Sequence, residues 1–163
     1  AAGMALRTLG KWHMTNAIPQ IAPFLTHSKE RNRIFAANAL RDIGDIHAAP
    51  DLVRALDDPY FTVRKAASRA LVAPGLGTEK ILLQALVERD RSVVARRELI
   101  RCLGTLHSRK AIPALRKLLA DSDSMVRQDA AQALRAIDPE HAERWLKDAK
   151  LKDGNDGDKN PGG

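Results

Sequence analysis

Cysteine occurs only once, at Cys102, so no disulfide forms within the chain and no multi-cysteine zinc site exists. The thiol lies in the run Leu99-Ile100-Arg101-Cys102-Leu103, which reads as a buried, inert position. Aromatic residues are scarce, at 4% against 44% hydrophobic residues overall. A core must then be built from Leu, Ile, Val and Ala, which favours closely packed helices over a β-sandwich. Long hydrophobic runs are missing too. The longest, Ile81 to Val87, is broken by Gln84 and falls short of the ~18 apolar residues of a membrane span. No basic segment followed by an apolar stretch opens the chain, so no signal peptide is expected. The sequence begins Ala-Ala-Gly ahead of Met4, inside a repeat pattern, and reads as a piece of something longer.

Signatures of chemistry are equally sparse. There is no G-x-S-x-G, no P-loop and no Gly-rich phosphate cradle. None of the five histidines (His13, His27, His47, His107, His141) has another three or four residues away, as a helix-borne metal site needs. The expectation is a chain that is not an enzyme and takes no cofactor or metal. Lys and Arg outnumber Asp and Glu by 27 to 20, for a formal charge of +7. That balance permits an acidic or nucleic-acid partner.

What the sequence does contain is internal repetition, in two interleaved kinds of segment. One kind has Pro followed two residues on by Leu or Ile, with another apolar residue four later. It reads Ala17-Ile18-Pro19-Gln20-Ile21 with Leu25, Ala48-Ala49-Pro50-Asp51-Leu52 with Leu56, and Ala111-Ile112-Pro113-Ala114-Leu115 with Leu119. Lys80-Ile81-Leu82 with Leu86 fits the same frame without its Pro. The column Ile21, Leu52, Leu82, Leu115, Leu146 advances by about 31 residues per step. The other kind is Ala-rich: Ala36-Ala37-Asn38-Ala39-Leu40, Ala66-Ala67-Ser68-Arg69-Ala70-Leu71 and Ala130-Ala131-Gln132-Ala133-Leu134, with a truncated copy at Ala5-Leu6-Arg7-Thr8-Leu9-Gly10.

Both kinds carry helix chemistry. Pro is tolerated in a first turn, where its missing N–H has no intrahelical partner. Asp57-Asp58-Pro59 and Asp121-Ser122-Asp123 offer capping oxygens before the Ala-rich segments. Gly10, Gly44, Gly75 and Gly104 stand where those segments are expected to end in a left-handed residue. Apolar spacings of 3, 4 and 7 predict helices near 15–26, 30–43, 46–56, 60–73, 77–88, 90–106, 108–119, 122–136 and 139–149, with a partial one at 2–9. Tyr60 and Phe61 are expected to pack between repeats, and Trp12 and Trp145 to close the two ends. A two-helix unit of this length cannot bury its own apolar face, so copies must stack into a superhelix. The fold class is therefore all-α: an α-solenoid array over residues 1–149 with an incomplete first repeat, followed by a disordered tail over 150–163.

These motifs resemble HEAT repeats, in particular the short HEAT-like type of phycobilisome lyases and many bacterial scaffolds, over residues 2 to 148. The resemblance implies an armadillo-like solenoid with the first helix of each pair on the convex side and the second on the concave side. It also implies a structural role for Arg33, Arg64 and Arg127, pairing with Asp57, Asp58, Asp121 and Asp123 at the inter-repeat turns. HEAT-like hydroxylases that bind iron carry paired His-Glu motifs, and no His here precedes a Glu.

On the side of the Ala-rich helices away from the apolar stripe stand Asn38 and Arg41, Lys65 and Arg69, Arg97 and Arg101, then Gln128, Gln132 and Arg135. With second helices lining the concave side, these form a basic-polar strip along the groove. Arg96-Arg97-Glu98 departs from the pattern and leaves the register of the third copy open by one residue. The leading expectation is a monomeric, soluble binding or scaffold module, with the cytoplasm favoured and no membrane partner. Its concave strip would take a protein or an acidic peptide. Two alternatives stay open. One is nucleic-acid (DNA) binding through the strip, in the way that HEAT-like alkylpurine DNA glycosylases use a positive concave face. The other is an accessory repeat segment of a larger enzyme such as a lyase.

Overall fold

The computed structural model describes residues 2–88 and 90–155, and among them there are helices and no strand. The α-helices are α1 (Ala2–Lys11), α2 (Ile18–Ile21), α3 (Glu30–Ile43), α4 (Ala49–Arg54), α5 (Phe61–Leu71), α6 (Glu79–Val87), α7 (Val93–Thr105), α8 (Ile112–Leu118), α9 (Ser124–Ile137) and α10 (Pro139–Asn155). Even-numbered helices are the first members of the pairs, and odd-numbered helices the second. The tail expected from Lys150 falls on the backbone of α10 as far as Asn155 and otherwise outside the described residues.

First helices are shorter than expected because three of them are composites. α2, α4 and α8 each follow a 3₁₀ turn and carry Pro in their first turn, and α2 and α4 run into a second 3₁₀ segment. Pro23 is the second residue of the segment after α2, where its missing N–H cannot continue the α ladder. A tighter 3₁₀ turn then satisfies some of the carbonyls left at such a helix end. Second helices run unbroken on their alanines. The repeat column Ile21, Leu52, Leu82 and Leu115 has no exposed surface at all, so the apolar stripe of the first helices is the centre of the core. Leu146 is only partly buried against it.

The glycines divide into two kinds. Gly44 takes a left-handed φ of 69° and closes α3 as expected, and Gly75 is also left-handed, in the loop after α5. Gly10 and Gly104 do not end helices; they lie inside α1 and α7. A Cβ on Gly10 would come within 2.9 Å of the Ala39 Cα, and one on Gly104 within 3.1 Å of the Ala133 Cα. They let consecutive second helices touch backbone to backbone. The left-handed residue falls three positions later, on His13 and His107, each at φ 48°. Histidine tolerates that conformation better than most non-glycine residues.

Along α1–α3 and α7–α9 this Gly/Ala seam draws the second helices together, whereas the first helices meet sparingly. Consecutive second helices therefore lie closer together than consecutive first helices, and their outer faces stand side by side as one wall. α5 and α7 are the most loosely packed consecutive pair. Between them runs the loop Val72 to Thr78, pinned where Thr78 Oγ1 donates to the Leu71 carbonyl at 2.6 Å. In the repeat register Val72 and Arg41 both stand where Gly10 and Gly104 stand elsewhere, yet α3 still packs closely on α5, so the missing glycine does not by itself loosen the α5–α7 pair.

Gly104→Val should push α7 off α9. The expected loss is about 2 kcal/mol, since overpacking outweighs the gain of roughly 1 kcal/mol in helix propensity. Urea unfolding measures it, with the exposed neighbour Thr105→Val expected to stay within about 0.5 kcal/mol of the parent.

Candidate functional site

The arginine column comes first, because it separates structural cations from the rest. Arg33 reaches Asp58 with Nε at 2.7 Å and Nη2 at 3.2 Å, while its Nη1 donates to the carbonyls of His27 and Ser28. Arg64 and Arg127 repeat the second half of this pattern. Each donates from Nη1 to the carbonyls five and six residues earlier, Pro59 and Asp58 for Arg64, Ser122 and Asp121 for Arg127. Of the expected acidic partners, only Asp58 meets one of these arginines with its carboxylate. Asp121 instead takes Arg96 at 3.0 Å, and Asp123 caps α9 by accepting from the N–H groups of Met125 and Val126. Asp57 caps no helix and accepts from Ser92 Oγ and Arg91. Arg96 is thus the fourth member of the column, which settles the register of the third copy and assigns Arg97 to the wall.

All nine strip residues lie on second helices or at their ends, and none is buried. Lys65, Arg69, Arg101, Gln128, Gln132 and Arg135 are exposed, whereas Asn38, Arg41 and Arg97 are half-buried. The strip is less positive than its sequence suggests. Arg41 holds Asp42 at 2.8 Å and reaches Asn38 at 3.4 Å. Arg97 holds Asp129 at 2.6 Å, and Arg101 holds both Asp129 at 3.1 Å and Glu98 at 3.2 Å. Arg135 holds Glu143 at 2.6 Å. Only Lys65 and Arg69 meet no carboxylate among the described residues.

Glu98 and Asp129 were not among the expected site residues, yet they organise this part of the wall. Both are nearly buried, at 7% exposure, and Glu98 also accepts from Ser68 Oγ at 3.2 Å across the α5–α7 junction. The signal was present in the repeat register. The same position is Phe35 in α3 and Ala66 in α5, so a carboxylate there must find cations beside it. Between α7 and α9 lies an open cleft of about 450 Å³, floored by Gly104, Ala133 and Ala136 and edged by Arg101, His107 and Gln132.

Aromatic placement also differs from expectation. Tyr60 and Phe61 do not pack between repeats; they are 51% and 56% exposed, with Arg33 over the Tyr60 ring and Arg64 and Lys65 over the Phe61 ring. Their place at the mouth of α5, level with charged neighbours, lets guanidinium and ammonium groups cover them in place of a core. Trp12 is exposed, and Trp145 is half-buried between Arg116 and His141. Cys102 is buried, and desolvation pushes its thiol up to about 12, so it is protonated at neutral pH. Among the described residues no three His, Cys, Asp or Glu side chains gather as a metal site would require. The residues present therefore do not fit an iron centre of the paired His-Glu kind.

Asp129→Ala should leave Arg97 and Arg101 without their shared carboxylate in a half-covered wall. The expected loss is about 2 kcal/mol by urea unfolding, because removing one member of a nearly buried pair costs more than the pair is worth. Asp42→Ala, on a more exposed pair, should cost under about 1 kcal/mol.

Comparison with known proteins bears on both fold and activity. The chain matches the HEAT-repeat family over residues 1–72 and 79–159, the gap falling on the loop after α5. It is 30% identical over 132 residues to a deoxyhypusine hydroxylase from Eremothecium gossypii, covering 77% of this chain and 40% of that protein. Among solved structures it resembles the complex of CpcE and CpcF of phycocyanin lyase from Nostoc sp. PCC7120, with a TM-score of 0.54 and 25% identity, covering 85% of this chain and 59% of that one. An engineered protein is similar at a TM-score of 0.50 and 24% identity, over 91% of this chain and 47% of its own, which bears on the fold alone. The chain thus spans less than two thirds of the length of each of these three proteins. The expectation that it is not an enzyme is corrected here: the hydroxylase and the lyase both carry the names of enzymes. That expectation rested on motifs missing from a stretch equal to 40% of the hydroxylase, and such an absence says nothing of a whole protein's activity. No helix among the described residues is long and apolar enough to cross a membrane. With a family match across both halves of the array, the chain belongs to the HEAT-repeat family.

Proposed function

We propose that the chain is a docking scaffold whose inner wall seats a protein or peptide segment, and that it does so as the partner-holding part of an enzyme or enzyme complex. The observation that carries this reading is the wall itself. Nine polar side chains from four successive second helices line it, six of them exposed and three half-buried, while the arginine column and the apolar core lie behind them. Ion pairs such as Arg97–Asp129 and Arg135–Glu143 pre-set several of these side chains, which lowers the entropy lost on binding. The enzyme names of two relatives, one of them from a complex of two proteins, support the second half of the proposal.

A nucleic-acid partner is less well served. Phosphate backbones are captured by runs of uncompensated Lys and Arg. Here four of the six strip cations already hold carboxylates. Stacking aromatics are lacking among the nine strip residues.

The test is a selection of 15-residue peptides from a random display library on the immobilised chain. Asn38→Trp and Gln132→Trp, which crowd the inner wall, should each weaken the selected peptides by about tenfold or more. The same bulk at Lys80 and Lys117, exposed on first helices, should leave binding unchanged. Peptides that tolerate the wall variants but lose binding to Lys80→Trp or Lys117→Trp would move the site to the outer face and refute this reading.

A further inference from the structure

Resting on that reading, we infer that α5 is the anchoring point of the wall and that its ligand is an acidic peptide segment with an aromatic or large aliphatic side chain beside its carboxylates. The juxtaposition is Phe61, Lys65 and Arg69. They follow one another at intervals of four, so they share one stripe of the helix, about 6 Å apart from step to step. All three are exposed, and the Lys65 ammonium sits 5.6 Å from the centre of the Phe61 ring.

Charge accounting singles out this stripe. On α3 the wall cation Arg41 is matched by Asp42, on α7 Arg97 and Arg101 are matched by Asp129 and Glu98, and past α9 Arg135 is matched by Glu143. A ligand carboxylate approaching any of those sites meets a carboxylate already in place. At Lys65 and Arg69 it meets two positive charges with no acidic partner among the described residues. Arginine adds a planar fork that grips a carboxylate through two parallel N–H donors. Net attraction is therefore local to α5, whatever the total of basic residues along the groove.

The apolar half of the specificity comes from the mouth of the same groove. Phe61 opens α5, and Val93 and Val94 open α7; all three stay exposed. An isolated exposed apolar residue is ordinary, but an aromatic ring in line with two uncompensated cations offers a surface for an apolar side chain one or two residues from an acidic one. Two uncompensated charges beside such a surface suit a short acidic peptide better than a polyanion, which needs a longer run of cations. The loose α5–α7 junction places this stripe where the wall is least tightly closed by its neighbour.

Fluorescence anisotropy of a labelled peptide, Gly-Glu-Glu-Phe-Glu-Glu-Gly, titrated with the full chain at low ionic strength tests this directly. Its partners in the assay are the glutamine version of the peptide and an oligothymidylate of similar charge. The chain should bind the glutamate peptide and discriminate against the glutamine version. The double variant Lys65→Gln with Arg69→Gln, which keeps long side chains on exposed positions, should weaken binding by about tenfold or more, and Phe61→Ala by roughly fivefold. Lys117→Gln, on the exposed face of first helix α8 and outside the wall, should change nothing. Melting curves matching the parent's establish that each variant is folded. If the double variant binds the peptide as tightly as the parent, the α5 anchor is wrong, while peptides selected from the random library can still map to the wall. Failure of the glutamate peptide to bind while library peptides do would overturn the anchor in the same way. Tighter binding of oligothymidylate than of the peptide, lost in the double variant, would place a nucleic acid at α5 and overturn the peptide assignment.

Discussion

The close approach of consecutive second helices is the constraint on which the rest of the structure depends. It is made by small residues: Gly10 against Ala39 and Gly104 against Ala133, each pair so near that a single added carbon would meet backbone. Drawing the second helices together closes the apolar layer between the two kinds of helix and makes the outer faces of α3, α5, α7 and α9 neighbours along one wall. Between α5 and α7 the seam is loosest, and a loop intervenes before α6. The strength of the array is therefore uneven, as expected of a structure held by nearest-neighbour interfaces.

The same register sorts the cations. One column, Arg33, Arg64, Arg96 and Arg127, binds the turns: Arg33, Arg64 and Arg127 hold carbonyls of the chain entering their own helices, and Arg33 and Arg96 reach a carboxylate in the turn before the next second helix. The next residues along the helices face the groove and answer to a different rule. There Glu98 and Asp129, nearly buried, draw Arg97 and Arg101 down onto themselves. Burial of two carboxylates fixes two arginines at the cost of their outward charge. The wall becomes ordered and close to neutral except at α5.

How much of this was legible in the sequence follows from which forces act locally. The column Ile21, Leu52, Leu82, Leu115 announced itself through its spacing, and its complete burial follows from the need of each repeat to cover its neighbour. Gly44 closes a helix as its position implied, but Gly10 and Gly104 were misread as helix ends. A glycine serving close approach looks the same in a sequence as one serving a left-handed turn, and the turn role had passed to His13 and His107. The nine wall residues were found by helical periodicity, whereas their charge state was not. Periodicity tells which way a side chain points but not what lies across the seam, and Asp129 is 32 residues from Arg97. The exposure of Tyr60 and Phe61 was missed for a related reason: Arg33 of α3 covers the Tyr60 ring and Lys65 the Phe61 ring, and hydrophobic patterning does not register such contacts.

Native-state hydrogen exchange on the full chain tests the central claim most directly, because it reads local stability helix by helix. If the small-residue seam holds the array together, the slowest amides should be those of α3 and α9 around Ala39 and Ala133, with faster exchange in α5 and the loop after it. The composite first helices α2 and α4 should be intermediate. Slowest exchange in the first helices, or the same protection in α5 as in α3 and α9, would show that the apolar layer alone carries the fold and would contradict the account.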